Sequence, residues 1–77
     1  MITIGSSVKA LIDIESYDSN TFFKNETVLA GSVGKVTNMG YKRLNTGKEL
    51  FGIAVQFKEG MIGFVDKKLL NIEEITE

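Results

Sequence analysis

Apolar and polar residues alternate with a period of two along much of this chain, and no window shows the 3.6-residue period of a helix. Val8, Ala10, Ile12 and Ile14 alternate with Lys9, Leu11, Asp13 and Glu15, which predicts a first half-buried strand. From Glu15 to Glu26 the chain turns polar and reads as a long loop, although it carries Tyr17, Phe22 and Phe23. Val28 to Thr37 predicts a second strand, in which Gly31 and Gly34 permit backbone angles and close approaches that a side chain would block. Val33 and Val36 are an odd number of residues apart and share a face only if the ladder slips by one, so a bulge is predicted near Gly34. Asn38 to Glu49 reads as a polar hairpin with its turn tip at Asn45-Thr46-Gly47-Lys48. Phe51, Ile53, Val55 and Phe57 predict a third strand, Lys58-Glu59-Gly60 a tight turn, and Met61 to Asp66 a fourth strand. A short helical turn then leads through Leu69-Leu70-Asn71-Ile72 into a fifth strand ending near Ile75.

Composition sets the scale of this all-β chain. Its 77 residues make a single domain with a core over about residues 7–75, and a chain of this length buries roughly 60% of its unfolded surface. Stability on the order of 3–5 kcal/mol is expected. Neither cysteine nor histidine is present, so disulfides and thiolate or imidazole metal sites are excluded. A cytoplasmic location is expected, because the start Met1-Ile2-Thr3-Ile4-Gly5 has no signal-peptide pattern and no segment has the ~20 apolar residues of a membrane span. Asn25-Glu26-Thr27 matches a glycosylation sequon, which is expected to be idle in that setting. The formal net charge is −1, but residues 31–58 carry Lys35, Lys42, Arg43, Lys48 and Lys58 against Glu49, a local +4.

Short strands, a long first loop, a tight turn between the third and fourth strands and a one-turn helix before the last resemble the SH3-like barrel. Two motifs carry the resemblance. Gly31-Ser32-Val33-Gly34-Lys35-Val36 is similar to the glycine-valine segment of small prokaryotic SH3-like and KOW-type domains, and Val55-Gln56-Phe57-Lys58-Glu59-Gly60 precedes Gly63-Phe64-Val65 and Leu69. What the resemblance implies is a five-stranded SH3-like barrel, a fold that hosts many unrelated activities. Val8 to Ile14 also resembles the first strand of eukaryotic SH3 domains, whose ligand groove has tyrosines where this chain has Ile12 and Ile14. With tryptophan and proline absent as well, the grip on a proline-rich helix that such a groove implies is not expected.

Catalysis is not expected: without His or Cys the usual bases and nucleophile partners are missing. Asp13, Glu15 and Asp18 lack the glycine turn and bidentate Glu of a calcium loop, so they read as a solvated acidic edge and no metal or cofactor is expected. Gly31-x-x-Gly34-Lys35 has the wrong spacing for a phosphate loop, and no helix follows it. Two candidate sites remain. Tyr17, Phe22 and Phe23 form a candidate partner-binding group, with one of the adjacent Phe rings expected in the core and the other outside, as side chains alternate in extended chain. Lys35, Tyr41, Lys42, Arg43 and Lys48 place cations beside a ring, the pairing that single-stranded nucleic acid uses for phosphate contact and stacking. A non-enzymatic module that binds another protein, and no membrane, is the expectation. KOW-like contact with RNA or single-stranded DNA through residues 35–48 is the alternative.

Overall fold

In the computed structural model, which describes residues 2–75 and all their side chains except those of Lys42, Asp66 and Lys67, the chain is all-β apart from one 3₁₀ helix. Its strands are β1 (Ser7–Ala10), β2 (Ile14–Tyr17), β3 (Lys24–Val28), β4 (Val33–Arg43), β5 (Glu49–Gln56), β6 (Met61–Val65) and β7 (Ile72–Glu74), with the 3₁₀ helix at Asp66–Asn71. They form one antiparallel sheet in the order β3-β2-β6-β5-β4-β1-β7, curled into a half-barrel. Its concave side holds the core. Val8, Val36, Val55, Ile62 and Phe64 are buried there together with Phe57, which the Phe57 N–H to Gly60 carbonyl bond of the tight turn (2.8 Å) holds inward.

Among the described residues seven strands stand where five were predicted, and the two extra ones, β2 and β3, fall partly in the stretch 15–26 read as a loop and partly at the ends of the strands predicted on either side. The predicted first strand is broken. Bends at Leu11 and Ile12 divide it into β1, which pairs with β4 and β7, and β2, which pairs with β3 and β6, so Ile12 is left 47% exposed rather than sharing the core face of Val8 and Ala10. The Asp13 carboxylate stitches this break to the far turn by accepting from the Ala30 N–H at 2.7 Å. The predicted second strand is divided too: Val28 ends β3, and β4 begins only after a turn at Gly31, whose φ is +93°.

Two bulges set which side chains enter the core. Val36 pairs with Val55 and Asn38 with Ala54, so the extra residue on β4 is Thr37, whose hydroxyl donates to the Ala54 carbonyl (3.3 Å). The predicted bulge near Gly34 is therefore misplaced. Strict alternation holds from Val33 to Val36, leaving Val33 56% exposed and Val36 buried on opposite faces. Gly34 serves a different end: a Cβ there would lie 2.8 Å from the Gln56 carbonyl oxygen, Phe57 and Val55. On β3, Asn25 and Glu26 together oppose Ser16, and the buried Ser16 hydroxyl donates to the Glu26 carbonyl at 2.5 Å. Gly60 covers that hydroxyl so closely that a Cβ would meet Ser16 Oγ at 2.6 Å and the Tyr17 carbonyl at 2.8 Å.

Candidate functional site

Apart from Lys35, which pairs with Ser7 and Gln56 in the wall of the half-barrel, both predicted site groups lie on hairpins that extend from it. Beyond Met39 and Gly52, β4 and β5 pair only with each other, so Gly40–Arg43 and Glu49–Phe51 form a two-stranded arm ending in the turn at 44–48. The β2–β3 hairpin likewise joins the rest of the sheet through one ladder pair, Tyr17 with Met61. These projections raise the Cα radius of gyration to 12.4 Å, against about 11.5 Å for a round domain of this length.

The turn of the β2–β3 hairpin is braced almost entirely by Asp18. Its N–H donates to the Phe23 carbonyl (2.8 Å), its carbonyl accepts from Phe22 N–H (2.9 Å), and its carboxylate accepts from the N–H groups of Asn20 (2.8 Å) and Thr21 (3.0 Å). The Thr21 N–H, then that of Asn20, holds the Asp18 carboxyl below its usual pKa. This closure places Phe22 at φ 61°, a left-handed conformation that a bulky residue rarely adopts. The expectation that one ring plugs the core is overturned, since Phe22 is 69% and Phe23 75% exposed. Alternation between faces applies to extended chain, which the left-handed Phe22 interrupts at a tip that lies beyond the core. Tyr17 is exposed on the same hairpin, on the strand face that carries Glu15 and Lys24, paired at 2.8 Å. Glu15 raises the Lys24 pKa through that bond.

Between β2, β6 and the 3₁₀ helix, the single ladder pair leaves a groove of about 450 Å³. Buried Phe64 and half-buried Ile14 line it with exposed Ile12, Asp13, Tyr17 and Lys68. Sequence reasoning named Tyr17 as a site residue and set Ile12 and Ile14 only at the groove positions of eukaryotic SH3 domains; it missed Lys68, because nothing local shows that β2 and β6 diverge.

The basic group is only partly assembled. Tyr41, directly across from Phe51 with ring centroids 5.2 Å apart, lies on the core side of the arm and is 76% exposed. Arg43 follows on that side and is held by Glu49 at 2.8 Å. Lys35 pairs with Gln56 and so lies on the opposite face, while Lys48 is exposed in the turn. The Lys42 side chain lies outside the described residues. Segment 38–49, read as a polar hairpin, continues β4 through Arg43 before it turns, and the turn tip at 45–48 falls where predicted. Among the described residues no three acidic side chains gather as a metal site, and no helix is long and apolar enough to cross a membrane. Compared with family models, with curated proteins and with solved structures, the chain finds no match.

Proposed function

We propose that this chain is a non-enzymatic, SH3-like binding module that contacts another protein through Tyr17, Phe22 and Phe23. One observation carries the proposal: two adjacent phenylalanine rings are held in water, one of them at a left-handed residue, by a turn that Asp18 braces with four hydrogen bonds. An arrangement that leaves rings wet and strains the backbone contributes nothing to folding, and aromatic anchors of this kind dominate protein–protein contacts. The groove that Tyr17 lines offers such a partner a largely apolar depression on the same hairpin. Support for the SH3-like reading comes from the order of elements: a strand, a hairpin excursion in the first connection, a three-strand meander, a 3₁₀ helix and a last strand beside the first.

The test is capture from a lysate of the native host by the immobilised chain and by its F22S/F23S variant, with and without nuclease. Expected are the same proteins with or without nuclease, lost from the variant while its melting curve stays unchanged. Unchanged capture by the variant overturns the assignment. Capture abolished by nuclease and by charge reversal at Lys42 and Arg43 replaces it with nucleic-acid contact through Lys35, Tyr41, Lys42, Arg43 and Lys48.

A further inference from the structure

The two hairpins are opposite in charge as well as alike in exposed rings. The β2–β3 hairpin, Ile14–Val28, carries Glu15, Asp18 and Glu26 against Lys24, a net −2, and Asp13 stands immediately before it. The β4–β5 arm, residues 40–51, carries Lys42, Arg43 and Lys48 against Glu49, a net +2, with Lys35 nearer the half-barrel on the other face. Within the chain these fields do not meet: Lys24 is satisfied by Glu15 and Arg43 by Glu49, each inside its own hairpin, and among the described residues no ion pair joins one hairpin to the other. Glu26 on one side, and Lys35 and Lys48 on the other, have no ion-pair partner among the described residues.

We infer that a second copy of this chain is a partner of the aromatic hairpin, docking head to tail so that the acidic β2–β3 hairpin of one copy lies on the basic β4–β5 arm of the next. This deepens the protein-binding function proposed above and rests on it. Charge selects the pairing: two β2–β3 hairpins face to face, or two arms, bring like charges together, whereas the unlike pair sets Glu26 and Asp18 against Lys48 and buries Phe23 near Tyr41. Such an interface is heterologous, so each copy offers one free half of each kind, and the assembly either closes into a ring or continues as a chain. Because its charges are exposed, the association weakens with salt.

The experiment is sedimentation velocity on the full chain, on a hairpin variant, F23S/E26Q, and on an arm variant, Y41S/K48Q, each confirmed folded by circular dichroism. The wild type is expected to form species above monomer at about 0.02 M salt and to dissociate at about 0.5 M. Each variant alone is expected to be monomeric at both. A mixture of the two in equal amounts is expected to form a dimer and nothing larger, since each variant keeps the half that the other has lost. A wild type that stays monomeric up to about 1 mM at about 0.02 M salt overturns the inference, since any self-association is then weaker than a millimolar Kd. Association that neither variant impairs, or that the mixture fails to restore, overturns it as well. Lysate capture by the F22S/F23S variant separates the two levels: a monomeric wild type whose capture still depends on these rings refutes self-association alone, and a monomeric wild type with unchanged capture refutes both.

Discussion

In the β4–β5 arm the exposed ring of Tyr41 leans on Phe51 and the Arg43 charge is met by Glu49, whereas in the β2–β3 hairpin Phe22 and Phe23 stand clear of any other ring among the described residues. Both segments are two-stranded ribbons carrying aromatic and charged residues. The arm uses them on itself, as a ribbon with no neighbouring strand must do to stay ordered. The hairpin is held by backbone and carboxylate bonds around Asp18 instead, which frees its rings for another molecule. An exposed aromatic therefore speaks most directly for a partner when nothing in its own chain already occupies it, and Tyr41, still 76% exposed beside Phe51, offers a receiving surface rather than an anchor.

The harshest way to break this comparison is to remove the platform beneath both ribbons. Val55 is fully buried where β5 meets β4 and β6, and Val55→Asp places an unpaired charge there at a cost of several kcal/mol. Against a stability on the order of 3–5 kcal/mol, the chain is expected to lose its sheet signal in circular dichroism at 25 °C.

Next in size are the two glycines at the roots. Gly34→Ala forces a Cβ to 2.8 Å from a β5 carbonyl, and Gly60→Ala does the same to the Tyr17 carbonyl and the Ser16 hydroxyl. Each is expected to lower the urea-unfolding free energy by roughly 1–3 kcal/mol. Amide exchange would sharpen the contrast, with Gly60→Ala loosening β2 and Gly34→Ala loosening the start of β4.

The rings themselves give smaller and opposite effects. Tyr41→Ala is expected to cost about 1 kcal/mol through the lost contact with Phe51, while Phe23→Ala stays within about 0.5 kcal/mol. Phe22→Gly relieves the left-handed strain and is expected to raise stability by about 1 kcal/mol. Thermal melts of the three variants test the set, and a loss of several kcal/mol at Phe22 or Phe23 would return that ring to a structural role.

The smallest effect is that of pH on the Asp18 turn. Its folded pKa is lowered by the Thr21 and Asn20 N–H groups, so its contribution is present above the ordinary carboxylate value of about 3.9 and is lost as pH falls through the lower folded value. Asp18→Asn is expected to flatten the acid limb of stability between pH 5 and 2 slightly, measured relative to wild type by urea melts across about that range. An unchanged acid limb would show that the turn does not depend on the carboxylate.

Much of the frame was legible because it repeats a two-residue period against a single core. Ile53, Val55 and Phe57 all enter that core from one face, and the turns at 58–60 and 45–48 fall between strands where glycine and asparagine mark them. The β2–β3 hairpin was not legible, since Lys24 to Thr27 are exposed on both faces of an edge strand and leave no alternation to read. Nor was the extension of β4 through Arg43, which pairs over an arm with almost no core beneath it.

Residue type and spacing thus determined an all-β chain, its central strands and its two aromatic, charged segments, because local backbone preference and burial on one face act over a few residues. Only the tertiary structure decided that the first strand breaks at Leu11 and Ile12, that the β4 bulge falls at Thr37, that both phenylalanines stay in water and that Lys35 lies on the opposite face from Tyr41. Those outcomes depend on which distant strand each segment pairs with. A one-residue slip in that pairing sends a side chain to the other face, and no neighbouring residue records it.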